Sequence, residues 1–156
     1  FGNKIKYTLD GGKCSVGIES TIINLTGKPT ILRLGGLDIS KIQNILGLKI
    51  STNLNQKKNI SPGQSRLHYS PGIPLKMNVK KVNENTAFIL IKKRKTKLNN
   101  YYYLSTRGNL DEAGKNLYSC LRKIKNNGYK SIAVEKIPNK GMGKAINDRL
   151  SRASKF

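Results

Sequence analysis

A hydroxyl and a guanidinium on neighbouring strands make the first candidate site in this sequence. The stretch "ESTIINLTGKPTILRLGG" (19–36) reads as a hairpin. An odd register, such as a four-residue Thr26–Pro29 loop gives, places Ser20 and Arg33 on one face of adjacent strands. Arginine offers two parallel charge-assisted donors and the serine hydroxyl a further hydrogen bond, which together suit a phosphate or a carboxylate. An exposed arginine beside a strand serine, with no ligand, is the plainer alternative. A second candidate lies in "SPGQSRLHYSPG" (61–72), which carries the only histidine of the chain, His68, beside Tyr69. Imidazole titrates near neutral pH, yet the flanking Ser-Pro-Gly triplets favour neither helix nor central strand. On residue types alone, His68 is an exposed loop side chain.

Other segments admit chemistry less sharply. "LDGGKC" (9–14) offers a backbone nest for an anion, against a plain Gly-Gly turn between strands. "GMG" (141–143) precedes the last helix and offers an anion seat at its N-terminus, against an ordinary loop. "KKRKTK" (92–97) follows a buried strand and reads as a solvated turn, with RNA contact as the alternative. "YYY" (101–103) has the look of a stacking platform, but alternate strand residues face opposite ways, so sheet packing is expected. A single histidine rules out a His-based metal cluster, and no GxxxxGK[ST] phosphate loop is present. Cys14 and Cys120 lie far apart and, with no export signal, are expected to be reduced cytosolic thiols. No constellation supports an independent catalytic centre, so no catalytic residue and no metal ligand is assigned.

These positions need a scaffold, and three regions supply it. Residues 1–50 hold two strands, "CSVGIESTIINL" and "ILRLGG", then a short helix with Ile39, Ile42, Ile45 and Leu46 at helical spacing and Asp38 or Ser40 as its N-cap. Residues 51–75 are polar, contain three of the five prolines and show no period, which marks a linker or a long ordered loop. Residues 76–156 alternate strand and helix. "TAFILI" reads as a strand buried on both faces, and "YYYLS" and "KSIAVEKIP" as two more. Between them, Leu110, Ala113, Leu117, Leu121 and Ile124 share one helical face, with a capping-box-like start at Asn109 and Glu112 and a stop at Gly128. The closing helix gathers Met142, Ile146, Leu150 and Ala153. This order predicts a small parallel α/β layer, which at ~80 residues should want a neighbour.

The 156 residues include 30 Lys+Arg against 8 Asp+Glu, a formal charge of +22. That excess points to a polyanion partner, nucleic acid before a membrane surface. The competing explanation is a chain enriched throughout in Lys, Asn and Ile, whose lysines are scattered rather than gathered on one face. No apolar run approaches the ~20 residues of a membrane span and no signal peptide opens the chain, so a cytoplasmic protein without membrane contact is expected. The opening "FGNKIKYTLDGG" lacks a methionine and already alternates like a strand, which reads as a processed start or the later part of something longer.

"LDGGKCSVGIESTIINLTGKPTILRLGG", "SPGQSRLHYSPG" and "GKAINDRLSRAS" occur in that order, and together the chain resembles the threonylcarbamoyl-AMP synthases. The resemblance implies an α/β chain: the remnant of an open twisted YrdC-type sheet over 1–50, an extended linker or lid over 51–75, and a small parallel-sheet Rossmann-like domain over 76–156. It implies threonine, bicarbonate and ATP as substrates, with Mg2+ accompanying ATP, and threonylcarbamoyl-adenylate and pyrophosphate as products. Downstream tRNA-modification proteins become expected partners, and tRNA contact an expected use of the basic surface. Ser20 is then expected to touch threonine or the threonylcarbamoyl moiety, Arg33 the ATP phosphates, and His68 and Tyr69 the bound adenylate from the linker. Leu34 and Lys13 stand where the family has proline. The family's basic phosphate loop and Ser-x-Asn segment have no counterpart here. The expectation is therefore the C-terminal portion of a synthase, inactive without the missing N-terminal half; a non-catalytic tRNA- or partner-binding module and a decayed remnant are the alternatives.

Overall fold

The computed structural model describes residues 2–12, 14–18, 20–52 and 70–154. Strand β1 (Ile22–Asn24) and strand β2 (Thr30–Arg33) form an antiparallel hairpin, and β3 (Ser51–Thr52) adds to β2 in parallel. The connection runs from Leu25 to Pro29, one residue longer than the expected Thr26–Pro29 loop, so Asn24 faces Thr30 and Ile23 faces Ile31. A bulge between Ile22 and Ile23 then brings Ile22 opposite Arg33. That one-residue slip reverses which face meets which. Ser20, two residues before Ile22, thereby ends on the face of Arg33.

Helix α1 (Ile39–Leu46) starts where Asp38 accepts the Ser40 N–H at 3.0 Å and stops at Gly47 in the left-handed region, φ 64°. Ile39 and Ile42 are buried, but Ile45 is 85% exposed. Half of the apolar stripe thus has no partner among the described residues.

The second sheet contains β4 (Leu75–Lys76), β5 (Ala87–Lys92), β6 (Tyr101–Ser105) and β7 (Ile132–Val134), in the order β4-β7-β5-β6 and with all pairs parallel. Helices α2 (Leu110–Asn126) and α3 (Met142–Ala153) follow β6 and β7. Along β5 the pleat serves two cores. Ala87, Ile89 and Ile91 join the main cluster, whereas Phe88 and Leu90 pack with Ala133, Val79 and Val82 on the other face. The polar 51–75 stretch is tied at both ends, by β3 and by β4, where Leu75 is buried because it joins the main cluster.

The start of α2 departs from a reciprocal capping box. Asn109 Oδ1 accepts the Glu112 N–H at 2.9 Å as expected, but the Glu112 carboxylate turns to Ser105 Oγ at 2.7 Å and the Thr106 N–H at 3.2 Å. Ser105 Oγ in turn accepts N–H groups of Arg107, Gly108 and Asn109. Parallel α/β sheets seat phosphates in such loops; here a serine and a glutamate of the chain fill the place. These hydrogen bonds, Ser105 first, hold the Glu112 carboxyl below its ordinary 4.5. A carboxyl depressed on folding stabilises the native state above its unfolded value and loses that contribution as pH falls through the folded one. Melting temperature followed downward from pH 5 should therefore fall less steeply for Glu112→Gln than for the parent; equal slopes would remove this role.

The two sheets share one core, in which Ile18, Ile31, Leu34 and Ile39 meet Leu117, Met142, Ile146 and Leu150. The long strand expected over 14–25 is cut short at its start by this docking. Gly17, at φ 78°, lies so close to α2 that a Cβ there would sit 2.4 Å from the Lys115 Cα. Only a residue without a side chain permits that approach.

Candidate functional site

Arg33 closes β2 and reaches back across the bulge to Ser20. Its Nε–H donates to the Ser20 carbonyl at 3.0 Å and its Nη2 to Ser20 Oγ at 2.7 Å. Because the serine oxygen accepts from the guanidinium, its own O–H remains a donor. The pair presents a delocalised cation and a hydroxyl, and Ser20 is exposed. Such a face offers the charge-assisted hydrogen bonds that suit an oxyanion.

Behind it stands a group that the sequence reading passed over. Arg149 of α3 is 1% exposed, and its Nη2 donates at 2.8 Å to the carbonyl of Leu34, the residue after Arg33. Its Nη1 donates to Asp148 at 2.6 Å, and Arg152 one turn on donates to the same carboxylate at 3.1 and 3.2 Å. A signal was available: Arg149 and Arg152 fall on the stripe of Ile146, Leu150 and Ala153, all buried. Charged residues on the buried stripe of a helix call for specific partners.

His68 and Tyr69 lie outside the described residues, as do Glu19 and Lys13. Neighbouring positions are described. β3 runs parallel to β2, so the chain at Thr52 heads toward the sheet end that carries Arg33. Ser70 and Pro71 line a small cavity with Tyr118, Leu121, Arg122 and Lys125 of α2.

The remaining candidates resolve into structure. In "LDGGKC" the Gly12 N–H goes to Asp10 Oδ1 at 2.8 Å, a local turn without flanking strands. At "GMG" the N–H groups of Gly143 and Lys144 are taken by the carbonyls of Lys140 and Gly141, which removes two donors from any anion seat. Within "KKRKTK", Arg94 pairs with Glu135. Phe88 and Tyr101 meet edge-to-face at 5.4 Å, and Tyr102 points the other way into the main core. Cys14 is exposed, and burial pushes the Cys120 thiol up to about 12. Among the described residues no group of three His, Cys, Asp or Glu side chains suits a metal ion, and no helix is long and apolar enough to cross a membrane.

Comparison with known proteins gives this geometry a context. The family model "Threonylcarbamoyl-AMP synthase, C-terminal domain" matches residues 37–155. The chain is 29% identical to the threonylcarbamoyl-AMP synthase of Pyrococcus abyssi (strain GE5 / Orsay), over 100% of this chain and 51% of that protein. It is 27% identical to the threonylcarbamoyl-AMP synthase of Bacillus subtilis (strain 168), over 97% and 49% respectively. The crystal structure of P. abyssi Sua5 complexed with L-threonine superposes with a TM-score of 0.82 at 27% identity, covering 99% of this chain and 51% of that one. The chain thus spans about half the length of the curated relatives it matches.

Proposed function

This chain belongs to the threonylcarbamoyl-AMP synthase family, and on that premise we propose that it forms the C-terminal part of a synthase converting threonine, bicarbonate and ATP into threonylcarbamoyl-adenylate and pyrophosphate for tRNA modification. The observation that carries the reading is the Arg33–Ser20 pair, with its 2.7 Å contact on an open face. In this role Arg33 holds an ATP phosphate and Ser20 donates to threonine or its carbamoylated form. The L-threonine in the P. abyssi Sua5 crystal structure supports threonine as the substrate class. His68 and Tyr69 belong to the nucleotide side of the same reading.

Expelling pyrophosphate concentrates negative charge on several phosphate oxygens, and preorganised cations and donors must meet it. One arginine is too few. A second observation supports docking of the rest through residues 5–48. Tyr7, Leu9 and Ile45 are 88%, 98% and 85% exposed, and most large exposed apolar side chains lie in residues 5–48. Among the described residues 70–154 the one large apolar side chain so exposed is Leu98, at 39%. Apolar exposure concentrated in one stretch of the chain favours an interface there. We assign it to the half of the synthase that the relatives possess beyond the matched region, whether that half sits on the same polypeptide or on another.

The test is pyrophosphate release from ATP, measured for this chain with and without the N-terminal half of a relative. Release should require threonine, bicarbonate and the complementing half together. Release indifferent to threonine, or no gain from a complement shown to bind, would refute the proposal.

A further inference from the structure

We propose that Arg149 is a positioning residue: from α3 it sets the orientation of Arg33 toward Ser20, and so gives the C-terminal α/β layer a part in forming the anion site. The inference rests on the reading of that pair as an anion site, but its geometry can be tested separately.

Burying a guanidinium is costly, and replacing a buried ion pair by well-packed apolar residues is often neutral or stabilising. Holding α3 against the sheet therefore does not require an arginine at 1% exposure. What Arg149 does that a methionine cannot is place a donor on a main-chain carbonyl 115 residues away in sequence. That carbonyl belongs to Leu34. On one side of Arg33 the backbone is held by the β2 ladder, which ends at Arg33 opposite Ile22 beside a bulge. On the other side, the Leu34–Gly35 peptide lies beyond the strand, and Arg149 holds it. Held by the ladder on one side and one residue beyond it on the other, the backbone at Arg33 aims its side chain, and the 2.7 and 3.0 Å contacts to Ser20 depend on that aim. A binding fork needs its direction kept within roughly 10–20° to be useful.

Asp148 makes the brace stiff. It is shared by Arg149 and Arg152 from successive turns, so the Arg149 side chain is anchored at Nη1 while Nη2 reaches Leu34. The cluster of two arginines and one aspartate also leaves net positive charge just behind the strand end that meets the anion. This charge is shielded from water and is therefore less screened than a surface lysine.

The experiment is nitrogen-15 NMR of the arginine Nε–H groups in the whole chain, with the Arg33 signal assigned by its loss in Arg33→Lys. Arg149→Met should speed solvent exchange of the Arg33 Nε–H about tenfold, the size expected for losing one good hydrogen-bond restraint. Arg152→Met removes the i,i+4 pair with Asp148 but leaves the Leu34 contact, and should keep that exchange within about twofold of the parent. A role confined to stability predicts the opposite: both variants lose melting temperature and neither moves the Arg33 signal. Unchanged Arg33 exchange in a folded Arg149→Met chain overturns the proposal. If that variant does not fold, Arg149→Lys keeps the charge beside Asp148, loses one arm of the fork, and is read by the same signal. Adding ATP to the complemented parent separates the two readings. An Arg33 signal that depends on Arg149 but ignores ATP sinks the anion-site assignment and leaves the brace standing.

Discussion

Gly143→Ala should lower the unfolding free energy by about 3 kcal/mol, the upper end of ordinary overpacking costs. Helix propensity alone says the reverse, because Ala is favoured over Gly inside a helix by ~1 kcal/mol. The geometry decides the sign. A Cβ on Gly143 would sit 2.0 Å from the Pro138 carbonyl oxygen and 3.2 Å from its carbon. That loop cannot simply retreat, since Ile137 is in the core and its carbonyl accepts from Asn147 at 3.2 Å. Chemical unfolding followed by circular dichroism measures the effect, with Ser151→Ala, exposed on the same helix, as a control expected within about ±0.5 kcal/mol. A neutral or stabilising Gly143→Ala would mean that α3 does not enter the fold along this path. The consequence reaches the site, because the same helix carries Arg149.

Arg33→Ala in the complemented enzyme should weaken ATP binding by about 10–100-fold, as expected for losing charge-assisted hydrogen bonds of ~1.5–3 kcal/mol. Arg33→Lys should recover part of this at low salt and little at high salt. A lysine restores the charge but not the planar fork that spans the Ser20 carbonyl and hydroxyl. Calorimetric titration at two salt concentrations reads both effects. Equal affinities for Arg33→Ala and the parent would remove Arg33 from the nucleotide site, and with it the main support for the function proposed above.

The elements were legible where a local signal sufficed. The helical spacing of Leu110, Ala113, Leu117, Leu121 and Ile124 produced α2, and all but the half-buried Leu110 are buried in it. "TAFILI" became a strand buried on both faces because only apolar residues tolerate two cores. The short pieces β3 and β4 were not legible, since two residues carry no period and exist only through their neighbours. The stretch 14–25 alternates like a strand along its whole length, yet Gly17 bends it onto α2 and leaves only Ile22–Asn24 in the sheet.

The site divides in the same way. Sequence by itself determined that a serine and an arginine of the hairpin are candidates for one anion, because strand alternation is a local rule. Tertiary structure alone decided that they meet: the loop is longer than expected and a bulge restores the register. It also decided that Glu112 turns to Ser105 and Thr106 rather than back to Asn109, and that Arg149 reaches Leu34. The reason is physical. Periodicity and capping operate over a few residues, whereas a buried polar group takes whichever partner packing brings within about 3 Å, and that partner is chosen by the whole fold.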